Sequence, residues 1–193
     1  MRVLIIGGVA GGMSAATRLR RLDENVEIIV LERSGHVSYA NCGLPYYVGG
    51  VIEQESALLL QTPASLHARF RLDVRVASEV ISINRKKKTI LVKELSSGKE
   101  YELNYDKLIL SPGASPIVPP ILGVERALTL RNVEDVERIV NQVNLKPKSA
   151  VVIGGGFIGV EIAENLIHRG ISTSLVEAAN QVLAPLDPEM ATL

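Results

Sequence analysis

Two segments in which a short aliphatic strand runs into a glycine turn and then a helix, Val3 to Leu22 and Val151 to His168, predict an α/β chain of parallel sheets covered by helices. The composition agrees: hydrophobic residues make up 47% of the 193, aromatics only 4%, and Trp is absent. Runs of Val, Ile, Leu and Ala are how strands buried on both faces read. Between the two segments, Val74 to Leu110 reads as β-structure with hairpin turns in its middle.

Charge and length exclude several classes. Lys+Arg and Asp+Glu are both 21, so no global field favours nucleic acid or a membrane surface. No apolar run approaches the ~20 residues that span a bilayer. The run Val3 to Ile6 is too short for the core of an export signal. One cysteine makes no internal disulfide, which fits a reducing cytoplasm. No metal-ligating cluster is expected.

In the first unit, Val3-Leu4-Ile5-Ile6 is the strand and Gly7-Gly8-Val9-Ala10-Gly11-Gly12 the turn. Met13 to Leu22 has helical spacing, with Met13, Ala16 and Leu19 on one side. In this setting a G-x-G-x-x-G loop binds a dinucleotide: its backbone comes close to the pyrophosphate, which the free N–H groups and dipole of the helix hold. The next strand, Val26 to Leu31, ends in Glu32, a carboxylate able to accept from a ribose 2′-hydroxyl. Val9 stands where the middle glycine belongs, leaving Gly8 and Gly11 to give the close approach. Ser14, Arg18 and Arg21 are spaced i, i+4, i+7 and share one helix stripe. That stripe is either a solvated face partnered by Asp23 and Glu24, or a phosphate-binding stripe for a second, anionic ligand.

Cys42 is the lone thiol, in the run Ser38-Tyr39-Ala40-Asn41-Cys42-Gly43-Leu44-Pro45-Tyr46-Tyr47. Asn41 is predicted to N-cap a helix with Pro45 in its first turn, which would put the sulfur at a helix N-terminus and favour thiolate. A free cysteine is commonly a small buried hydrophobe. Polar Ser38 and Asn41 in a turn containing Gly and Pro argue instead for a reactive one. This run, after the glycine loop and Glu32, resembles the coenzyme A-disulfide reductase family of flavin- and pyridine-nucleotide-dependent oxidoreductases, and the similarity extends over essentially the whole chain. Tyr47 stands where C-x4-C relatives carry a second sulfur.

The resemblance implies that Cys42 forms a mixed disulfide with coenzyme A, or a persulfide, which FAD and NADH (NADPH the alternative) then reduce. It places substrate contacts at Ser14, Arg18, Arg21, Ser38 and Asn41. A further basic contact of the family falls at Phe70, where Arg69 or Arg71 would replace it. Flavin contacts fall at Gly7, Gly8, Val9, Ala10, Gly11, Gly12, Glu32, Arg33, Asn41, Val80, Ser111, Pro112 and Gly113. The implied partners are a small-molecule disulfide or persulfide and a second copy in a homodimer. Similar NADH oxidases and peroxidases, which work through a cysteine sulfenate, carry a histidine where this chain has Ala10, which weighs against that alternative. From another class comes a non-catalytic nucleotide-binding fragment, or an electron-transfer flavoprotein reductase for a small redox protein.

Farther along, Pro63 opens a helix within Gln54 to Phe70, and Asn84-Arg85-Lys86-Lys87-Lys88 is a solvated hairpin tip between Val80–Ile83 and Thr89–Val92. Ser96-Ser97-Gly98 turns into Tyr101–Leu103, and Ser115 to Pro120, with its prolines, reads as a domain crossing. Val151-Val152-Ile153 leads into Gly154-Gly155-Gly156-Phe157-Ile158-Gly159, a full G-x-G-x-x-G, and the returning strand ends in Glu177. Gly154, Gly156, Phe157, Ile158, Gly159 and Glu177 are the expected nicotinamide-dinucleotide contacts. Glu177 repels a 2′-phosphate and Ala178-Ala179 offer no arginine, so NADH is expected over NADPH. The expected fold is thus a Rossmann-like FAD-binding domain with a β-meander (residues 1–114), a crossing linker (115–123) and the start of an inserted NAD(P)-binding Rossmann unit (124–193). The rest of that unit, a returning flavin segment and a dimerisation domain are expected beyond a truncated end.

Overall fold

The computed structural model describes residues 1–192; Leu193, the last residue of the expected second unit, lies outside them. The chain runs β1 (Arg2–Ile6), α1 (Ala10–Leu22), β2 (Glu27–Leu31), α2 (Leu44–Val48), α3 (Pro63–Phe70), β3 (Asp73–Arg75), β4 (Ser78–Asn84), β5 (Thr89–Glu94), β6 (Glu100–Asn104) and β7 (Lys107–Leu110). It continues through α4 (Val133–Asn144), β8 (Ser149–Ile153), α5 (Phe157–His168), β9 (Ser172–Val176) and α6 (Pro188–Ala191). The fold is α/β with parallel sheets, as the strand–turn–helix units predict. Two compact units divide the chain: Met1–Tyr39 with Leu59–Ser115, and Ala40–Leu58 with the chain from Pro116 onward.

In the first unit a parallel sheet has the order β3-β2-β1-β7. Val3 lies opposite Ile28, and Leu4 opposite both Ile29 and Leu108. Side chains alternate across a strand, so β1 feeds two cores at once. Val3 and Ile5 pack with Met13, Ala16, Val26, Ile28 and Val30 on the helix side. Leu4 packs with Ile29, Leu31, Ile90 and Val92 on the other face, where the antiparallel meander β4-β5-β6 lies. Each such fully buried side chain contributes about 1.5–3 kcal/mol of burial. β7 belongs to the parallel sheet and not to the meander.

α1 begins at Ala10, one turn earlier than the Met13 start its apolar spacing suggests. Its Met13 and Ala16 face the core, and so does Arg20, 8% exposed. The Arg20 guanidinium donates to four carbonyls: Nε to Phe70 (2.8 Å), Nη1 to Glu24 (2.7 Å) and Asp23 (3.4 Å), and Nη2 to Arg71 (3.2 Å). These are the free carbonyls after α1 and at the end of α3, so one cation closes both helix ends. α3 itself starts where Pro63 predicts, with Thr62 and Ser65 in a reciprocal capping box.

In the second unit β8 and β9 pair in parallel, Val152 opposite Leu175, with α5 as the crossover. α4 is capped by Asn132, whose side chain accepts from the Asp135 N–H at 2.9 Å. α2 packs against both α4 and α5. Among the described residues no helix is long and apolar enough to cross a membrane.

Candidate active site

The two glycine loops are built to one plan, each within its own unit. The first glycine has a left-handed φ in both, +101° at Gly7 and +105° at Gly154. The third lies so close to the first that a Cβ on Gly12 or Gly159 would overlap the carbonyl oxygen of Gly7 or Gly154. The acid that ends the next strand returns to the loop. Glu32 accepts from the Gly8 N–H at 2.7 Å, and Glu177 from the Gly155 N–H at 2.6 Å. The other oxygen of each accepts from an N–H two residues on, at Ser34 (2.8 Å) and Ala179 (2.7 Å). The Ala179 and Gly155 amides hold the Glu177 carboxyl below the usual carboxylate range.

What the loops can hold follows from what their helices lack. Neither α1 nor α5 has a side-chain N-cap or an acid in its first turn. Their terminal N–H groups and positive dipole ends are therefore left to an outside anion. At Gly154 and Gly156 a Cβ would meet no atom within 4 Å, so the backbone borders open space there. The free N–H groups at both helix starts suit an anion such as a pyrophosphate, with open space at the second loop, and Glu32 or Glu177 ends the strand that follows each loop. Val9 occupies the position of Gly156 and N-caps α1 with φ −105° and ψ −133°. Ser111 closes the first loop from the far side: its N–H donates to Ile6 O at 2.8 Å, and its Oγ would lie 3.5 Å from a Cβ on Gly11. Phe157 and Ile158 are exposed in the first turn of α5, while Pro112 and Gly113 are exposed beyond β7. Arg33 is exposed and pairs with Glu79 at 3.8 Å. Val80 packs on the meander-side core.

Ser14, Arg18 and Arg21 all lie exposed on α1. The expected partners are engaged elsewhere: Asp23 accepts from the Asn25 N–H at 2.8 Å, and Glu24 pairs with Arg71 at 3.8 Å. Among the described residues Arg18 and Arg21 make no ion pair. Arg71 is tied to the end of α1, its Nη2 donating to Glu24 O at 3.0 Å, whereas exposed Arg69 lies over the Phe70 ring at 5.0 Å. Of the two candidate replacements, Arg69 is the one that makes no ion pair among the described residues. Ser38 has φ +48°, a left-handed conformation costing a non-glycine residue about 1–3 kcal/mol. Its N–H donates to Gly8 O (3.0 Å) and its carbonyl accepts from Leu60 N–H (3.2 Å), so the strain is held by the loop itself.

Cys42 is exposed, in a 3-10 turn Asn41–Gly43 that precedes α2. One expectation fails here. Asn41 caps no helix: the N-cap of α2 is Gly43, and Asn41 Oδ1 is buried with no hydrogen-bond partner among the described residues. A tertiary contact replaces the cap. Ala40 N–H donates to Leu58 O at 2.8 Å, and a Cβ on Gly43 would lie 2.9 Å from Leu58 and 3.2 Å from Ile52. Glycine after the cysteine therefore lets the turn lie flat on these aliphatics and leaves the sulfur outward. Tyr47, at the place of a second sulfur, is a neutral hydroxyl; burial, then the Glu55 and Glu137 carboxylates, push its phenol above the ordinary range. The residue that sequence reasoning missed is Asn165, 4% exposed in the middle of α5. Its signal was a lone polar residue in the apolar stripe Ile162, Ala163, Leu166.

Comparison with known proteins finds relatives over almost the whole chain. The coenzyme A disulfide reductase of Staphylococcus epidermidis is 38% identical over 190 residues, 98% of this chain and 43% of that protein. The crystal structure of reduced Bacillus anthracis CoADR-RHD is similar with a TM-score of 0.96 at 56% identity, over 98% of this chain and 35% of that one. A NAD-dependent persulfide reductase from A. fulgidus gives 0.94 at 38% identity, over 100% of this chain and 37% of its own. The chain thus spans less than half the length of these relatives. Residues 1–193 match the pyridine nucleotide-disulphide oxidoreductase family from end to end, and the chain belongs to it.

Proposed function

We propose that the protein containing this chain uses Cys42 to reduce a coenzyme A disulfide or persulfide with electrons from NADH. The observation that carries the reading is an exposed lone thiol in a chain that also holds two dinucleotide loops of one design. FAD, in the loop Gly7–Gly12 with Glu32, supplies a two-electron relay between reduced nicotinamide and sulfur. The loop Gly154–Gly159 with Glu177 binds the nicotinamide dinucleotide, and the fixed negative charge of Glu177 disfavours a 2′-phosphate.

The chain's own residues divide the work. The Cys42 thiolate attacks one sulfur of the disulfide, forming a Cys42–S–S–R bond and releasing the other half as thiolate. Two electrons from NADH then cleave that bond and return Cys42 to thiolate with a second thiol. With a persulfide, the same attack transfers the outer sulfur to Cys42, and the two electrons release it as hydrosulfide. Ser14, Arg18 and Arg21 receive the phosphates of coenzyme A, with Arg69 as a further cation, and Ser38 and Asn41 flank the thiol. The unpartnered Asn41 Oδ1 supports a role next to the sulfur. The similarity to a persulfide reductase supports the persulfide as an acceptor beside the disulfide. Ala10 leaves the first loop without the histidine expected for peroxide chemistry. The complete protein acts as a cytoplasmic homodimer in this reading.

Cys42→Ser in the whole protein tests it. Reduction of bound flavin by NADH should persist while disulfide and persulfide turnover is lost. Full turnover in the variant would make the cysteine structural.

A further inference from the structure

The segment that carries Cys42 clusters with the nicotinamide unit, and α5 is where it is held. α2 leaves the cysteine turn, buries Leu44 and Val48, and ends at Gly49-Gly50 against the C-terminal half of α5. Asn165 projects there from a stripe that is otherwise apolar. Its Nδ2 donates to Glu161 O at 2.8 Å, which fixes the amide and turns Oδ1 toward α2. A Cβ on Gly49 would overlap that Oδ1 and lie 2.7 Å from Cγ and 3.0 Å from the Asn165 Cβ. The two helices therefore meet at a separation only glycine permits. Arg169 closes the next position: its Nη1 would be 2.8 Å from a Cβ on Gly50, where φ is +77°. Its Nη2 donates to Asn144 Oδ1 at 2.7 Å, at the end of α4.

A leucine at position 165 would make an ordinary core contact, whereas a buried amide carries a desolvation cost that packing alone does not require. We propose that Asn165 and Arg169 are positioning residues for Cys42. They fix the far end of α2, and with it the cysteine turn, on the same helix whose N-terminus opens at the coenzyme loop. The turn follows α2 as one piece, because Gly43 N–H donates to Ala40 O at 2.9 Å and Gly43 is itself the N-cap of α2. A shift at Gly49 thus becomes a displacement of the sulfur and leaves the glycine loop of α5 in place. The inference rests on Cys42 being the redox sulfur.

The test uses the whole flavin-containing protein and four variants: Gly49→Ala, Gly49→Ala with Asn165→Ala, Arg169→Ala, and Cys42→Ser as reference. Two rates are read separately: flavin reduction by NADH, and kcat for coenzyme A disulfide. Gly49→Ala should leave the first unchanged and lower the second by up to about a hundredfold, the effect of a misplacement near 1 Å. Adding Asn165→Ala removes Oδ1 and Cγ, relieves the overlap and should recover part of the loss in kcat; the part not recovered is the placement of the turn that the Asn165 amide provides. Arg169→Ala, at an exposed residue, keeps the packing intact and should lower the same kcat by about tenfold. It should also change the iodoacetamide alkylation rate of Cys42 in NADH-reduced protein. If Gly49→Ala does not fold, Arg169→Ala decides by itself. A double variant no better than Gly49→Ala, or an Arg169→Ala protein with parent kcat and alkylation rate, overturns the proposal. Persistent turnover in Cys42→Ser would instead overturn the assignment of the sulfur.

Discussion

Replacing Gly7 and Gly154 by alanine, one at a time, separates two penalties that usually arrive together. Both residues have nearly the same left-handed φ, +101° and +105°, so the backbone strain on an L-residue is common to both, about 1–3 kcal/mol. What lies behind them differs. A Cβ on Gly7 would overlap Ser111 O and lie 2.7 Å from the Ser111 carbonyl carbon, and that backbone is fixed by the Ser111 N–H to Ile6 O bond at 2.8 Å. A Cβ on Gly154 would meet nothing within 4 Å. Overpacking against a backbone that cannot retreat adds about 1–3 kcal/mol at Gly7 alone. Urea unfolding of the two variants should therefore differ by that amount, with Gly7→Ala the less stable. Flavin per chain should fall in Gly7→Ala and hold in Gly154→Ala. Equal destabilisation would refute the account of how Ser111 seals the first loop.

Arg18→Glu with Arg21→Glu should raise KM for coenzyme A disulfide roughly tenfold, from about 1–2 kcal/mol of reversed exposed charge, and flatten its salt dependence. NADH kinetics should not change; an unchanged disulfide KM would return the stripe to a solvated face. Because the Ala179 and Gly155 amides lower the Glu177 pKa, their hold on the loop is fully present above the unfolded carboxyl value of about 4.3 and fades only as pH falls through the lower folded value. KM for NADH should accordingly be flat between about pH 5 and about pH 8, and a rise within that interval would place another group at the ribose. Arg20→Met keeps the apolar stem but leaves four carbonyls unpaired, and should destabilise the first unit by about 2–4 kcal/mol, read from the urea midpoint.

The parts of the fold that were legible in the sequence are those set by neighbours along the chain. β1, the two glycine loops, Glu32 and Glu177, the Pro63 helix start and the hairpin tips each follow from a few adjacent residues. Arg20 went unread: the apolar side was taken from Met13, Ala16 and Leu19, although Arg20 falls at i, i+3, i+7 with Met13 and Ala16. α4 carries an equally local pattern, Asn132 before valines at 133, 136, 140 and 143, which a reading centred on motifs passes over. What stayed hidden depends on contacts between distant segments. β7 joins β1 after the whole meander has intervened, a partner that the β-reading of Val74 to Leu110 does not name. Asn41 looks like a cap because Asn commonly is one. In the fold the Leu58 carbonyl and the glycine at position 43 set the turn, and Asn41 is left with a buried, unpartnered oxygen. Asn165 interrupts an apolar stripe, but what its side chain meets is set by α2, a segment far away in the chain.

A Cys42 that exchanges sulfur with coenzyme A and is renewed by NADH carries a transient mass on its own peptide. Intact and peptide masses of the whole protein, incubated with coenzyme A disulfide and then with NADH, test this exchange most directly. The predicted result is one coenzyme A adduct, on the Cys42 peptide, that NADH removes. An unmodified Cys42 after incubation, or an adduct that NADH leaves in place, would contradict it.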